Sequence, residues 1–346
     1  MNRRTLIRLA PAAVIVAGAL SFGAADAAEV KSLAILVPEA GTDFGWNQQG
    51  VEAAREVAKK HNLEFIPAEG LGYGDVHPTL RELAGDGASL MIAHASGYNT
   101  AAPEVAEETK VPVAIVDKPD ANKPGLVADY TLSGHEGAYL AGVLAAKMSK
   151  SGTVGIVVSG EPPSWNSQSA AFAEGAKAGK GDIKIIYAVI GPAAYADAAG
   201  GKRVTESVIA AGADVIFGQG DGSSFGMIEA VENAKGGNEV WFIDVIGDKT
   251  SIDKGHLLSS VVWNLVPVYD QMVQDLKADT FGTKGYSIGL KDDSVQLLKT
   301  KHIPDDVWKE VTAVRQDILD GKVKVEPVWD AAQVRPLMTS VEAPQQ

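Results

Sequence analysis

The chain has 346 residues, with 31 Lys and Arg against 44 Asp and Glu and a formal charge of −13. That acidic balance argues against a nucleic-acid partner or an anionic membrane surface, since holding phosphates takes clustered cations. Cysteine is absent from the sequence, which excludes disulfides, thiolate metal centres and a lipid anchor acylated on cysteine.

In chain order, the first predicted element is a leader. "MNRRTLIRLA" is cationic, "PAAVIVAGALSFGA" apolar, and "ADAAE" offers small residues for cleavage near Ala27 or Ala28. The apolar run is too short to span a bilayer comfortably, so residues 1–27 are expected to be a signal peptide removed on export to the periplasm. Arg3 and Arg4 with Leu6 resemble a twin-arginine signal, yet paired arginines also occur in ordinary signals, so both export routes stay open. The remaining length of about 320 residues exceeds one comfortable core and predicts two domains.

Short apolar runs then alternate with helical patterns: "SLAILV", "NQQGVEAAREVAKKH", "LEFIPA", "HPTLRELAGDG", "SLMIAH", "TAAPEVAEETK", "VPVAIVD" and "GLVADY". This alternation predicts a parallel sheet wrapped by helices. A long small-residue helix, "SGHEGAYLAGVLAAKMSK", follows, and after Lys150–Thr153 the alternation restarts with "TVGIVVSG", "IKIIYAVIG", "ADVIFGQG" and "EVWFIDVIG". The fold class is therefore α/β, two Rossmann-like lobes with a ligand cleft between them. The expected first lobe takes 28–131 and 265–285, and the second 132–264. Residues 286–346 are expected to cross between the lobes and end in a disordered tail from "MTSVEAPQQ".

In open α/β sheets ligands gather at the carboxyl ends of the strands, so the loops there supply the candidate site. The first loop, "GTDFGWNQQG", carries Asp43, Phe44, Trp46 and Asn47. Asp43 or Asn47 can simply cap the next helix, but a cap needs no aromatic neighbours, and an indole there can stack on a planar ligand. "HASGYNT" offers His94 and Tyr98, either of which can equally be structural. Asp117 ends "VPVAIVD", where a carboxylate suits vicinal hydroxyls or caps the next element. Trp165 in "SGEPPSWNSQ" closes over a ligand from the opposite lobe or lies at a hinge. In "FGQGDGSSFG", Ser223 stands where a dinucleotide fingerprint has its third glycine, and the turn instead brings Gln219 and Asp221 near a small ligand. Asp248, with Asp244 before it, and Trp263 complete the candidates.

H-E-x-x-H helices and Walker loops do not occur, and Asp75 with His77 in "YGDVHP" has no third metal ligand at a useful spacing. No metal, cofactor or catalytic residue is expected. The remaining enzymatic reading, an exported nucleoside hydrolase, would use His94 and Asp117 as acid and base.

Taken together, "DFGWNQQGVEAA", "HEGAYLAGVLAA", "ADVIFGQGDGSSFGMIEAV", "SIGLKDDSVQL" and "ILDGKVKV" resemble, in order and spacing, the motifs of the basic membrane protein family. These are nucleoside-binding receptors of ABC importers. The resemblance runs through most of the mature chain and implies a type I periplasmic-binding fold with three crossings, closing over a ligand that passes to a membrane permease. It further implies that Trp46 packs on the base, with Asn47 and Asp43 as polar neighbours and Asp117 as the acid of the fourth strand. The sequence departs from the family at two positions: Ile246 replaces an acid taken to hold ribose, with only Asp248 retained, and Trp263 replaces a lysine. A site stripped of these groups is flatter and more apolar, which favours a purine base or similar planar heterocycle over an intact nucleoside. A sugar or polyol receptor of the same fold is the alternative, and a sensory role uses the same closed state.

Overall fold

The computed structural model describes residues 29–235 and 239–340. The leader expected over 1–27 lies outside the described residues. The chain begins β1 (Ser32–Leu36), α1 (Trp46–His61), β2 (Glu64–Ala68), α2 (His77–Gly85), β3 (Leu90–Ala93), α3 (Ala101–Thr109), β4 (Val113–Val116) and β5 (Val127–Leu132). It continues through α4 (Gly134–Met148), β6 (Thr153–Val158), α5 (Pro163–Gly179), β7 (Lys184–Val189), α6 (Ala198–Ala210), β8 (Val215–Gln219), α7 (Ser224–Glu232), β9 (Trp241–Ile246) and β10 (Leu257–Trp263). After α8 (Val266–Lys277) come β11 (Tyr286–Ile288), β12 (Val295–Leu297), α9 (Asp305–Leu319), α10 (Ala331–Val334) and β13 (Thr339–Ser340).

Every residue of β1, β3, β4, β6, β8 and β9 is buried. Unbroken apolar strands are covered by helices on both faces, and parallel pairing through helical crossovers produces that covering. Two sheets result, ordered β11-β5-β4-β3-β1-β2 and β12-β10-β9-β8-β6-β7-β13. All pairings are parallel except β10 with β12. The fold is thus the two-lobed α/β arrangement. Each sheet has an outer apolar layer of its own, while the largest core runs continuously from Ile35 and Val51 of the first lobe to Ile156 and Phe217 of the second.

The chain passes between the sheets at Ser133, at Asn264–Leu265 and over 289–294. The three passages lie side by side: Ser133 N donates to Ile288 O at 3.2 Å, and Asn264 N to Ser294 O at 2.7 Å. Residues 286–288 thus form an edge strand of the first sheet rather than part of a crossing. From β12 onward the chain lies on the second lobe. Helix α9 packs on α4 and α10 on α5, with Val311 and Ile318 buried against the main core. The tail is ordered further than expected, because Thr339 and Ser340 extend the second sheet beside Ile186 and Tyr187; residues 341–346 lie outside the described residues.

The face of the second lobe depends on an unusually close contact between α4 and α5. A Cβ at Gly142 would sit 2.1 Å from Phe172 O, and one at Gly175 2.0 Å from Tyr139 O. Overpacking at backbone contact costs about 3 kcal/mol, so Gly142→Val is expected to lower the melting temperature by several degrees in thermal unfolding. An unchanged melting temperature would contradict this packing.

Candidate functional site

The strand-end loops of the two sheets line a partly open cavity whose empty space, open solvent included, is about 550 Å³. Its first-lobe wall includes Trp46, Ser96 and Asp117, and its second-lobe wall Trp165, Asp221 and Trp263. Most of these residues end or follow a parallel strand: Ser96 after β3, Asp117 after β4, Asp221 after β8, Ile246 and Trp263 as the last residues of β9 and β10.

Trp46 opens α1. Its Nε1 donates to His94 O at 2.9 Å, and its ring stacks on the His94 imidazole at 3.5 Å between centroids with the planes 11° apart. The cavity can be reached only by the rest of its surface. Trp263 stands perpendicular to Trp46, with ring centroids 6.1 Å apart. Trp165 sets its ring edgewise to Tyr195 at 5.3 Å.

The lobes touch across the cleft. Trp46 N donates to Asp221 Oδ1 at 3.1 Å, Tyr73 lies 5.5 Å from Tyr195, and Phe44 lies 6.0 Å from Phe225 in an edge contact. The structure is therefore a closed state. Four cleft residues, Phe44, Asp117, Asp221 and Ile246, have left-handed backbone with φ of 52°, 53°, 49° and 72°. Such conformations are costly outside glycine, most of all for β-branched Ile246, and persist where surrounding structure enforces them, commonly at binding sites.

The electrostatics are one-sided. No lysine, arginine or histidine is among the described residues lining the cavity. Burial pushes the Asp117 carboxyl up to about 7, against the hydrogen bond that Leu132 N donates to its Oδ1 at 3.0 Å. Asp221 is raised well above the usual carboxylate range by burial and then by Asp43, with Trp46 N and Lys249 opposing. The buried Lys249 is occupied beneath the site, 3.0 Å from Asp244 Oδ2 and donating to Val245 O.

Several expected ligand contacts are instead structural. Asp43 does not line the cavity: Oδ1 accepts from Gly45 N and Gln48 N, and Oδ2 from Asn47 N and Nδ2. It thus satisfies the first N–H groups of α1. Asn47 is buried, and its Oδ1 accepts from Glu39 N. Phe44 sits with Phe225 rather than on the cavity wall. His94, fully buried, lies under Trp46 with both ring nitrogens bonded, and burial lowers it to about 3. Tyr98 packs beneath its loop with its OH donating to Gly72 O. Gln219 is buried, donating to Ser169 Oγ at 2.7 Å. Asp248 is exposed and accepts from Thr250 N. The cavity does bring together Trp46, Asp117, Trp165, Asp221 and Trp263, and adds Tyr73 and Tyr195. The same criterion that singled out Trp46, an aromatic in a glycine- or proline-rich loop after a strand, applies to "GLGYGD" and "GPAAYAD".

Among the described residues no group of three or more His, Cys, Asp or Glu could hold a metal ion, and no helix is long and apolar enough to cross a membrane. The chain is 26% identical over 309 residues to an ABC transporter nucleoside-binding protein of Lactococcus lactis, covering 82% of this chain and 85% of that one. It is 25% identical over 316 residues to a purine-binding protein of Brucella abortus, covering 89% and 86%. A solute-binding protein structure from Aeropyrum pernix superposes with a TM-score of 0.76 at 17% identity, covering 88% of this chain and 96% of that one. The family model for Bmp, described as ABC transporter substrate-binding protein PnrA-like, matches residues 30–327. Two lobes closed over a cavity at their strand ends, with that match across most of the sequence, place the chain in the Bmp family of ABC transporter substrate-binding proteins.

Proposed function

We propose that this protein is an exported, periplasmic receptor that captures a purine base or closely similar planar heterocycle by lobe closure and delivers it to an inner-membrane permease, without chemistry of its own. The observation that carries the reading is Trp46, which has one face on His94 while the rest of its ring borders a cavity without a cation. An indole so placed suits an uncharged aromatic ring, and a cavity lined by carboxyls and no cation is a poor host for a nucleotide phosphate. The purine- and nucleoside-binding relatives support the ligand class. Within that class, Ile246 and Trp263 favour the free base, since they offer no carboxylate or ammonium to a ribose.

Asp117 supplies the polar edge. Its Oδ1 is engaged by Leu132 N, and a carboxyl raised to about 7 serves as an O–H donor to a ring nitrogen below that pH and as an acceptor from a ring N–H above it. Closure is the mechanism, because a ligand touching both walls stabilises the closed state by its differential affinity.

Calorimetric titration is expected to show adenine binding at least about tenfold more tightly than adenosine. Trp46→Ala should weaken adenine binding by about 2 kcal/mol, roughly thirtyfold. Much tighter binding of the nucleoside than of the base would contradict the preference, and an unaffected Trp46→Ala variant would contradict the stacking role.

The sign of the Asp117 contribution to stability is fixed by its raised value. With the unfolded carboxyl near its ordinary value, the contribution is complete below about pH 4 and is lost, on the order of a few kcal/mol, as pH rises through the folded value. Asp117→Asn keeps an Oδ1 acceptor, and asparagine tolerates the left-handed backbone. Its melting temperature should therefore fall less than that of the wild type between pH 5 and pH 8; parallel melting curves would refute the assignment.

A further inference from the structure

His94 touches both the Trp46 ring and side chains beside two of the three interlobe passages. Its Nε2 lies 3.0 Å from Trp46 O. A carbonyl can only accept, so Nε2 carries the proton and Nδ1 is the acceptor. Nδ1 lies 2.6 Å from the Tyr130 hydroxyl and 2.7 Å from the Tyr269 hydroxyl. Its single lone pair takes one phenolic proton, and the second phenol completes the three-membered cluster. The two tyrosine rings meet edge to face at 5.7 Å, and both are fully buried.

The positions of those tyrosines give the cluster its reach. Tyr130 is in β5, three residues before the passage at Ser133, and Tyr269 is in the first turns of α8, just after the passage at Asn264–Leu265. Trp46, on the other side of His94, donates its backbone N–H to Asp221 of the opposite lobe. One imidazole therefore has its face against the cavity-lining indole, one nitrogen on that residue's carbonyl, and its other nitrogen on the two phenols beside the passages. Room for the ring is built into α1, where a Cβ at Gly50 would sit 2.5 Å from it.

We propose that His94 is a positioning residue for lobe closure: through Tyr130 and Tyr269 it holds the plane of Trp46 in fixed relation to two of the interlobe passages, so that occupation of the Trp46 face and rotation of the lobes are one event. The ligand part of this proposal rests on the heterocycle reading above; the mechanical part does not. A packed, hydrogen-bonded cluster has discrete arrangements rather than a continuum, which is what coupling between a binding face and a hinge requires. The geometry of the cluster also needs a neutral ring, and burial lowers His94 to about 3.

The absence of cysteine permits a direct test. Glu82→Cys on α2 and Glu206→Cys on α6, both exposed and on different lobes, carry spin labels for pulsed distance measurement, with adenine as the probe ligand. Tyr130→Phe and Tyr269→Phe remove one hydroxyl each and leave the cavity lining intact. Each is expected to shift the distance distribution of the ligand-free protein away from the wild-type balance of open and closed forms. Each should also weaken adenine binding about tenfold, with the double variant no weaker than His94→Phe, because all three act on the same cluster. If wild type fails to bind adenine, the heterocycle reading fails, while the ligand-free distances still test the coupling. Distance distributions matching wild type in both tyrosine variants would overturn the proposal whatever their melting temperatures, since a role confined to core packing predicts that result.

Discussion

The stack of Trp46 on His94 is the contact on which the rest of this site depends. Burying an imidazole completely forces it to be neutral, and a neutral ring has one donor and one acceptor to place. Here the donor is directed to the Trp46 carbonyl and the acceptor to phenols of the first lobe. The indole is consequently fixed at three points: through its face, its Nε1 and its backbone carbonyl. A side chain so constrained offers a preformed surface and loses little freedom when a ring is laid upon it, which is how stacking becomes affinity.

Around that surface the cleft is built from carboxyls and aromatics rather than cations. Lys249, close enough to Asp221 to oppose its raised carboxyl, is taken up by the buried Asp244. Removing either partner would strand the other charge, a loss far larger than the net worth of the pair. The left-handed strand ends at Asp117, Asp221 and Ile246 place the cleft's acids and its branched apolar side chain where a regular strand exit would not. Backbone strain, buried carboxyls and interlobe contacts thus concentrate in the same few loops, as expected of a binding site carried on an otherwise consistent fold.

Much of the architecture was legible in the sequence because it rests on periodicity. Unbroken apolar runs such as "SLAILV" and "TVGIVV" could be covered on both faces only in parallel sheets, and the restart after Thr153 marked a second one. The short strands were harder. Tyr286–Ile288 and Thr339–Ser340 pair through backbone groups at sheet edges, where two or three residues leave no pattern. In the site, strand-end position identified Trp46, Asp117, Trp165, Asp221 and Trp263, but it could not tell a side chain that faces the cleft from one that holds the loop. Asp43 and Asn47 sit beside Trp46 in the chain, and their oxygens are taken by N–H groups of the same loop and helix start. His94 faces down into the core because β3 places it beneath the indole, a fact of packing that residue type and spacing do not reveal. Tyr73 and Tyr195 come from loops after β2 and β7 and meet across the lobes, a pairing that position along the chain does not show.

On the proposed reading, closure of this receptor is organised around a ring stacked on Trp46. A crystal structure of the protein with adenine tests it most directly. The base is expected to lie parallel to the indole on the face opposite His94, with a polar edge at Asp117 and the lobes closed. A base bound elsewhere in the cleft, with Trp46 left uncovered, would contradict it.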